Sequence, residues 1–358
     1  MDDVSRRSGA KIILALKGFA MWSTFDLVSK YLHGCTASGL WEARLAREEF
    51  CRFNEEAEVH TYSPAFKEED IEQIARISDH IVFNSSGQLK RFYDKVKEVN
   101  PKIHISLRVN PEVSSSPVDL YNPCAAYSRL GVTKENFDSA LLEKLDGLNF
   151  HALCEQDADA LEAVLAGFEE KFGAYIPKLK YVNFGGGHHI TRKGYDVEKL
   201  IKIIQEFKER YNDIEVYLEP GEAVGWEVGY LEASVLDIVH NGIDIAILDT
   251  SAEAHMPDTL AMPYKAKVRG AAEPGEKPYT YRLGGNTCLA GDIMGDYSFD
   301  APLEVGDRIV FEDQIHYTFV KNTTFNGIKL PSLAIKRKDG NIETIKEFGY
   351  EDYRDRLS

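Results

Sequence analysis

An alternation constrains this chain more than any other feature. Apolar, strand-like runs recur as far as Glu219, at Ile12–Leu16, Gly34–Ser38, Glu58–Tyr62, His80–Asn84, Ile103–Val109, Leu148–Leu153, Tyr181–Phe184 and Glu215–Glu219. Helix-patterned stretches fall between them, among them Leu40–Phe50, Glu68–Ile77, Gly87–Lys97, Ala158–Phe172 and Val197–Tyr211, the last with Asp196 placed to cap its amino end. Strands alternating with helices make βαβ units and a parallel sheet. Eight such strands match a (β/α)8 barrel, also called a TIM barrel, in count and size. The first run, Ile12 to Leu16, has no polar alternation and reads as a strand buried on both faces.

After Glu222 the pattern changes. Short strand candidates at Val235–His240, Ile243–Leu248, Ala266–Arg269, Tyr279–Leu283, Asp307–Phe311 and Leu333–Lys336 are separated by Gly, Pro, Asp and Asn. This predicts a mostly antiparallel β domain, with residues 1–228 as the barrel and 229–358 as the second domain.

In a barrel of this kind the carboxyl ends of the strands build the active site. Here those ends carry Lys17 (first), Arg108 (fifth), His151 and Cys154 (sixth), Gly185-Gly186-Gly187-His188-His189 (seventh) and Glu219-Pro220-Gly221-Glu222 (eighth). Taken alone, a lysine ending an apolar strand snorkels to water. Among so many reactive groups at equivalent places it reads instead as a Schiff-base lysine. Three glycines let a backbone approach a ligand and aim N–H groups at a phosphate, or simply make a permissive turn. Glu219 can hold a pyridine nitrogen protonated, or pair with a rim cation. His151 can stack on an aromatic cofactor, or be a satisfied core histidine. His188 and His189 suggest a metal, but neighbours on one strand point to opposite faces, so no metal is expected. Cys288, in the glycine-rich segment Gly285–Asp292, reads as a proton donor or a small buried thiol. Tyr317 either reaches a phosphate or packs.

Composition narrows the class. The chain has 358 residues, a hydrophobic content of 44% and a net charge of −16. That charge disfavours nucleic acid and anionic membrane surfaces and suits a cationic partner. Five cysteines at scattered spacing, without a CxxC pair, argue for thiols in a reducing compartment. With a polar start and no apolar stretch of membrane length, a cytoplasmic protein is expected.

Together the Ala-Leu-Lys strand end, the His151 strand, the triple glycine, Glu-Pro-Gly and the Cys288 loop resemble the fold-type III pyridoxal-phosphate decarboxylases. Within that family, Leu14–Ala20, Cys35–Glu42, His60–Lys67, Asn183–Thr191, Glu219–Trp226 and His255–Asp258 are similar to the carboxynorspermidine (carboxyspermidine) decarboxylase group. The resemblance implies an alanine-racemase-like barrel followed by a β domain, with pyridoxal 5'-phosphate as cofactor. It implies that Lys17 attaches the cofactor, that His151 stacks on its ring and that Glu219 pairs with its nitrogen. Gly185, Gly186 and Gly187 hold the phosphate, assisted by Tyr317, and Arg108 belongs to the cofactor set. Glu222, Asp258, Asp292 and His189 contact the substrate, and Cys288 is the proton donor. Cys288 and Asp292 come from the partner subunit of a homodimer with shared sites. The implied reaction removes CO2 from a carboxylated polyamine; a diaminopimelate- or ornithine-type decarboxylase is the alternative, and Glu222, at a place where an arginine would grip a distal carboxylate, argues for a cationic far end. The family also implies a strand and a helix ahead of the first barrel strand, of which Ser5–Lys11 is the remnant.

Overall fold

The computed structural model describes residues 1–116, 119–261 and 263–358. The chain divides into two compact units, Met1–Val224 and Gly225–Ser358.

In the first unit, strands β1 (Lys11–Ile12), β2 (Leu14–Ala15), β3 (Gly34–Ala37), β4 (Glu58–Tyr62), β5 (His80–Phe83), β6 (His104–Arg108), β7 (Gly147–Asn149), β8 (Tyr181–Asn183) and β9 (Glu215–Leu218) form one sheet in which every pairing is parallel. β1 and β2 are two halves of one strand that serves both edges. Lys11 and Ile12 pair with Tyr217 and Leu218 on β9, and Leu14 and Ala15 pair with Cys35 and Thr36 on β3. Ile13 N donates to Leu218 O (2.9 Å) and Leu16 N to Thr36 O (3.1 Å). The sheet therefore closes, and the (β/α)8 expectation holds.

Helices α1 (Asp2–Ser8), α2 (Phe25–Val28), α3 (Leu40–Leu45), α4 (Ile71–Ile77), α5 (Ser86–Val99), α6 (Ala158–Phe172) and α7 (Val197–Arg210) accompany the strands. In α6, Leu161, Val164, Leu165, Phe168 and Phe172 fall on one face and are buried, which is the spacing of an amphipathic helix. Each such side chain contributes about 2 kcal/mol, so truncating Phe168 to Ala costs about 4 kcal/mol. Asp196 caps α7 by accepting from Lys199 N at 2.9 Å. Of the segment Ser5–Lys11, the first four residues belong to α1 and Lys11 opens β1. Arg7 clamps Glu198 of α7 with two bonds of 2.7 and 2.5 Å, and Gln205 of α7 donates to Arg7 O.

Three local expectations shift. The Leu40–Phe50 helix changes to a π-helical turn at Ala46–Phe50. The sixth strand ends at Asn149, so His151 stands on the loop beyond it. Between β6 and β7 the helical segments among the described residues are two 3-10 turns, at Asp119–Tyr121 and Ser139–Lys144, where a barrel helix is expected.

Successive residues of a strand face opposite sides of the sheet. One parity of these strands packs against the helices and is apolar. The other faces the barrel axis and is polar from floor to mouth: Glu58-His60-Tyr62, His104-Ser106-Arg108, Tyr181-Asn183 and Glu215-Tyr217-Glu219. The interior is thus filled by polar side chains, where branched aliphatics usually dominate.

The second unit carries β10 (Tyr230–His240), β11 (Asp244–Leu248), β12 (Tyr279–Gly284), β13 (Ile293–Phe299) and β14 (Arg308–Glu312), in the order β13-β12-β11-β10-β14. Its pairings are antiparallel except β11 with β12. A hairpin of β15 (Leu333–Lys336) and β16 (Ile342–Lys346) stands apart. Leu248, Leu283 and Phe311 are fully buried in its core. The Ala266–Arg269 candidate supplies only an isolated bridge, Val268 to Phe311. Gly295, with φ 138°, interrupts the pattern of β13, a strand absent from the sequence reading. Among the described residues, no helix is long and apolar enough to cross a membrane.

Candidate active site

At the carboxyl end of the barrel, Lys17, Arg108, His151 and Glu219 line one pocket with Ala15, Thr36, Ser38, Tyr62 and Asn149. Apart from the neighbouring Ala37, the lining comes from the inward parity of successive strands, so the period of two in the sequence is what brings these side chains together.

Lys17 is exposed within the pocket, yet protein encloses it deeply. That enclosure lowers its pKa, and the Arg108 guanidinium adds to the effect. A neutral amine, which is the nucleophilic form, is therefore easier to reach. Arg108 is buried, donates to His151 O at 3.0 Å and lies over the Tyr62 ring, 4.8 Å from its centroid. Burial, Lys17 and Arg108 hold the His151 pKa well below its ordinary value, so the ring is neutral. Its Nδ1 accepts from Gly186 N at 2.8 Å, which leaves the proton on Nε2 and sets the ring's orientation. Glu219 Oε1 accepts from Asn183 Nδ2 at 2.8 Å.

In the glycine loop, Gly185 N donates to Asn183 Oδ1 and Gly186 N to His151 Nδ1, both at 2.8 Å. These two N–H groups orient side chains of the pocket. Glycine is required for closeness and for conformation. Gly185 has φ 72°, and a Cβ there would sit 2.4 Å from Phe150 O; Gly187 has φ 85°, and a Cβ would sit 2.2 Å from Leu153 O.

The two histidines after the loop part company. His188 is wholly enclosed, and burial pushes its pKa down to about 4. His189 Nε2 lies 3.2 Å from Glu222 Oε2. Glu155, on the loop after β7 with φ 52°, joins this pair, and the three side chains bring ligating atoms within 4.8 Å of one another. The pocket mouth thus carries two carboxylates around one imidazole.

In the second unit, Cys288 is exposed on its loop, and its backbone N donates to Asn326 Oδ1 at 2.6 Å. Asp292 corrects an expectation. It is buried, and its carboxylate accepts from Ala252 N (2.7 Å), Glu253 N (3.3 Å), Thr287 N (3.3 Å) and Thr287 Oγ1 (2.5 Å). With both oxygens occupied, it shapes the Cys288 loop and the start of the Ala252–His255 helix and has no face for a substrate amine. Asp258 Oδ1 pairs with Lys321 at 2.5 Å, and the Lys321 ammonium lies over the Tyr317 ring, 5.3 Å from its centroid. Any substrate amine at Asp258 must share that carboxylate with Lys321.

Tyr62, Asn149 and Asn183 were missed in the sequence. Each ends a strand on the inward parity, so the position rule that found Arg108 would have found them too. Tyr62 OH donates to Asn84 Oδ1 at 2.8 Å, which fixes the ring beneath Arg108.

Comparison with known proteins points the same way. Residues 61–314 match the family model described as pyridoxal-dependent decarboxylase, C-terminal sheet domain. A carboxynorspermidine/carboxyspermidine decarboxylase of Campylobacter jejuni is 54% identical, over 99% of this chain and 93% of the relative. A carboxyaminopropylagmatine decarboxylase of Synechocystis is 46% identical, over 97% of this chain and 88% of the relative. The crystal structure of carboxynorspermidine decarboxylase from Campylobacter jejuni, complexed with norspermidine, superposes with a TM-score of 0.91 at 52% identity, covering 99% of this chain and 94% of that one. This likeness spans both units, and the chain belongs to the pyridoxal-dependent decarboxylase family, in the group of the carboxynorspermidine/carboxyspermidine decarboxylases.

Proposed function

We propose that this protein releases CO2 from a carboxylated polyamine, carboxynorspermidine or carboxyspermidine, to give norspermidine or spermidine. The observation that carries the substrate class is the anionic mouth: Glu222 and Glu155 around His189, beside the pocket that holds Lys17. Charge-assisted contacts of this kind bind ammonium groups and repel a second carboxylate, which disfavours diaminopimelate.

The pocket fits pyridoxal phosphate, because it combines an enclosed lysine of lowered pKa with a neutral imidazole and a carboxylate. In this reading Lys17 would hold the cofactor covalently, His151 its ring face and Glu219 its ring nitrogen. Arg108 and the Gly185–Gly187 segment would surround its phosphate. When bound, this cofactor supplies an electron-accepting ring for the pair left behind as CO2 departs. Asn183 holds Glu219 by one oxygen and leaves its other oxygen for the ring nitrogen. Gly186 holds the His151 ring by Nδ1. Cys288 Sγ returns a proton to the substrate's α-carbon, so that each turnover takes up one proton and releases one CO2. The exposed Cys288 supports a homodimer in which one chain completes its partner's site, and five free thiols support a reducing cytoplasm.

The test is CO2 release from carboxynorspermidine, carboxyspermidine, carboxyaminopropylagmatine, diaminopimelate and ornithine. The first two should exceed the amino acids by about 10³-fold in kcat/KM, the span of two or three charge-assisted contacts. Faster turnover of diaminopimelate would overturn the substrate class. Faster turnover of the guanidinium-bearing compound would move the protein toward the Synechocystis relative. Mixing Lys17→Ala and Cys288→Ala chains should restore activity to a fraction of the mixed dimers; no recovery would refute shared sites.

A further inference from the structure

The barrel floor, at the end opposite Lys17, carries a second set of ligating side chains that the chemistry at the mouth does not use. Glu58 and His60 stand on β4 and His80 on β5. His60 Nε2 lies 3.1 Å from Glu58 Oε2, and His80 Nε2 lies 3.5 Å from the same oxygen. The two imidazoles stack, with centroids 3.8 Å apart and 10° between their planes, and a ring rotation turns both Nε2 lone pairs onto one ion beside that oxygen. We propose that Glu58, His60 and His80 form a binding site for a divalent transition-metal ion, best suited to zinc, that ties β4 to β5 at the floor.

The spacing is the first argument. Donors about 2.0–2.1 Å from a tetrahedral zinc ion are about 3.3 Å from one another. The two carboxylate-to-imidazole separations bracket that value, and all three donors lie within 4.8 Å. Two imidazoles with one carboxylate is a known zinc donor set, with a water completing the sphere.

The second argument is what these groups lack. Glu58 Oε2 already accepts from Tyr217 OH at 2.8 Å, and with His60 its two lone pairs are used. His80 is left with the 3.5 Å contact, and Nδ1 of both buried rings has no hydrogen-bond partner. Buried imidazoles so poorly satisfied are uncommon. A metal ion takes the crowded lone pairs directly. Tyr217 can then turn wholly to Glu215 Oε2, which it already reaches at 2.9 Å.

The third argument is charge. Glu58 and Glu215 carry two negative charges against one ammonium, Lys11, which meets them at 2.6 and 2.7 Å. Lys11 uses Glu58 Oε1, so it does not compete for Oε2. The floor is also open: the Glu58, Lys11 and Glu215 side chains are partly exposed. With no acceptor on either Nδ1, the outer contacts that strengthen metal-bound histidines are missing, so affinity is expected in the micromolar range, on the order of 1–10 µM.

The test uses the full-length holoenzyme, stripped by a chelator and titrated with Zn2+ alone and with Co2+ alone. One zinc per chain, a raised melting temperature and the visible absorption of tetrahedral Co2+ are expected. The His60→Gln/His80→Gln double variant should lose all three and keep kcat, whereas Glu222→Gln, which alters the cluster at the mouth, should keep all three. Failure of the wild type to retain zinc, or equal stoichiometry in the double variant, would overturn the proposal. Should the double variant not fold, Glu58→Gln decides: zinc affinity must fall at least tenfold, and unchanged affinity refutes the site.

Discussion

Two lysines stand at the two ends of the first barrel strand, on the same inward parity, and their environments drive them apart. At the floor, burial works against the charge of Lys11, but hydrogen bonds to Glu215 and Glu58 outweigh it and the pKa rises. At the mouth, enclosure lowers the pKa of Lys17, Arg108 lowers it further, and Glu219 and Glu42 do not compensate. The difference lies in the partner. A carboxylate in contact makes a lysine a structural cation, whereas a guanidinium nearby, with the carboxylates held off, makes it a reactive amine. One strand thus carries a structural end and a chemical end.

The comparison breaks most easily by exchange of roles. Lys17→Ala should lower kcat by about 10³-fold or more, as removal of a nucleophile does. Lys11→Ala should leave kcat within about twofold, since nothing in the pocket touches it. Steady-state CO2 release checks both, and equal losses would dissolve the contrast.

Acid probes both ends next. His188, behind the mouth, is neutral in the fold with a pKa of about 4, whereas in the unfolded chain it titrates near 6.5. Between those values the unfolded state binds the extra proton, so stability falls as pH drops from about 6.5 to 4, by at most about 3 kcal/mol. At the floor, burial opposes ionisation of Asp146, but His104, Lys180 and the Ile105 amide hold its pKa well below the ordinary value. Its contribution is present above about pH 4 and is lost only as pH falls further toward its folded pKa. Denaturant melts at pH 6.5, 5 and 4 should show the early loss, and His188→Leu should flatten it. His255 in the second unit, also near 4, and His151 and His80, held well below the ordinary value chiefly by burial, add slopes that this variant leaves in place. An unchanged slope in the variant would put the early loss elsewhere.

A smaller effect tests whether Glu219 acts on charge development or on binding. Glu219→Gln should cost about 10²-fold in kcat with little change in KM. A loss confined to KM would give it a mere binding role. The smallest effect returns to the floor. Removing the Lys11 ammonium leaves Glu58 and Glu215 facing each other, which should cost about 1–2 kcal/mol and lower the melting temperature by roughly 2–8 °C. No shift would mean that solvent already screens that pair.

Much of the mouth was legible because it follows from position. The residue ending an apolar run faces the barrel opening, and Lys17, Arg108, His151 and Glu219 were found on that rule. Tyr62 and Asn183 obey it as well, but tyrosine and asparagine carry no chemical flag. The glycine loop was legible as a close approach, but the partners of Gly185 and Gly186 N–H, Asn183 and His151, were not. Asp292 was misread for a similar reason: its four partners come from residues 252, 253 and 287.

The sequence by itself determined the order and parity of the barrel strands and the family to which the chain belongs. Those are local properties, written in a period of two and in short motifs. Tertiary structure alone decided that one strand closes the sheet from both sides, that Asp292 is spent on backbone amides, and that the floor gathers Glu58, His60 and His80. Each depends on contacts between residues distant in sequence, and in a parallel barrel every neighbouring strand is reached only after a crossover.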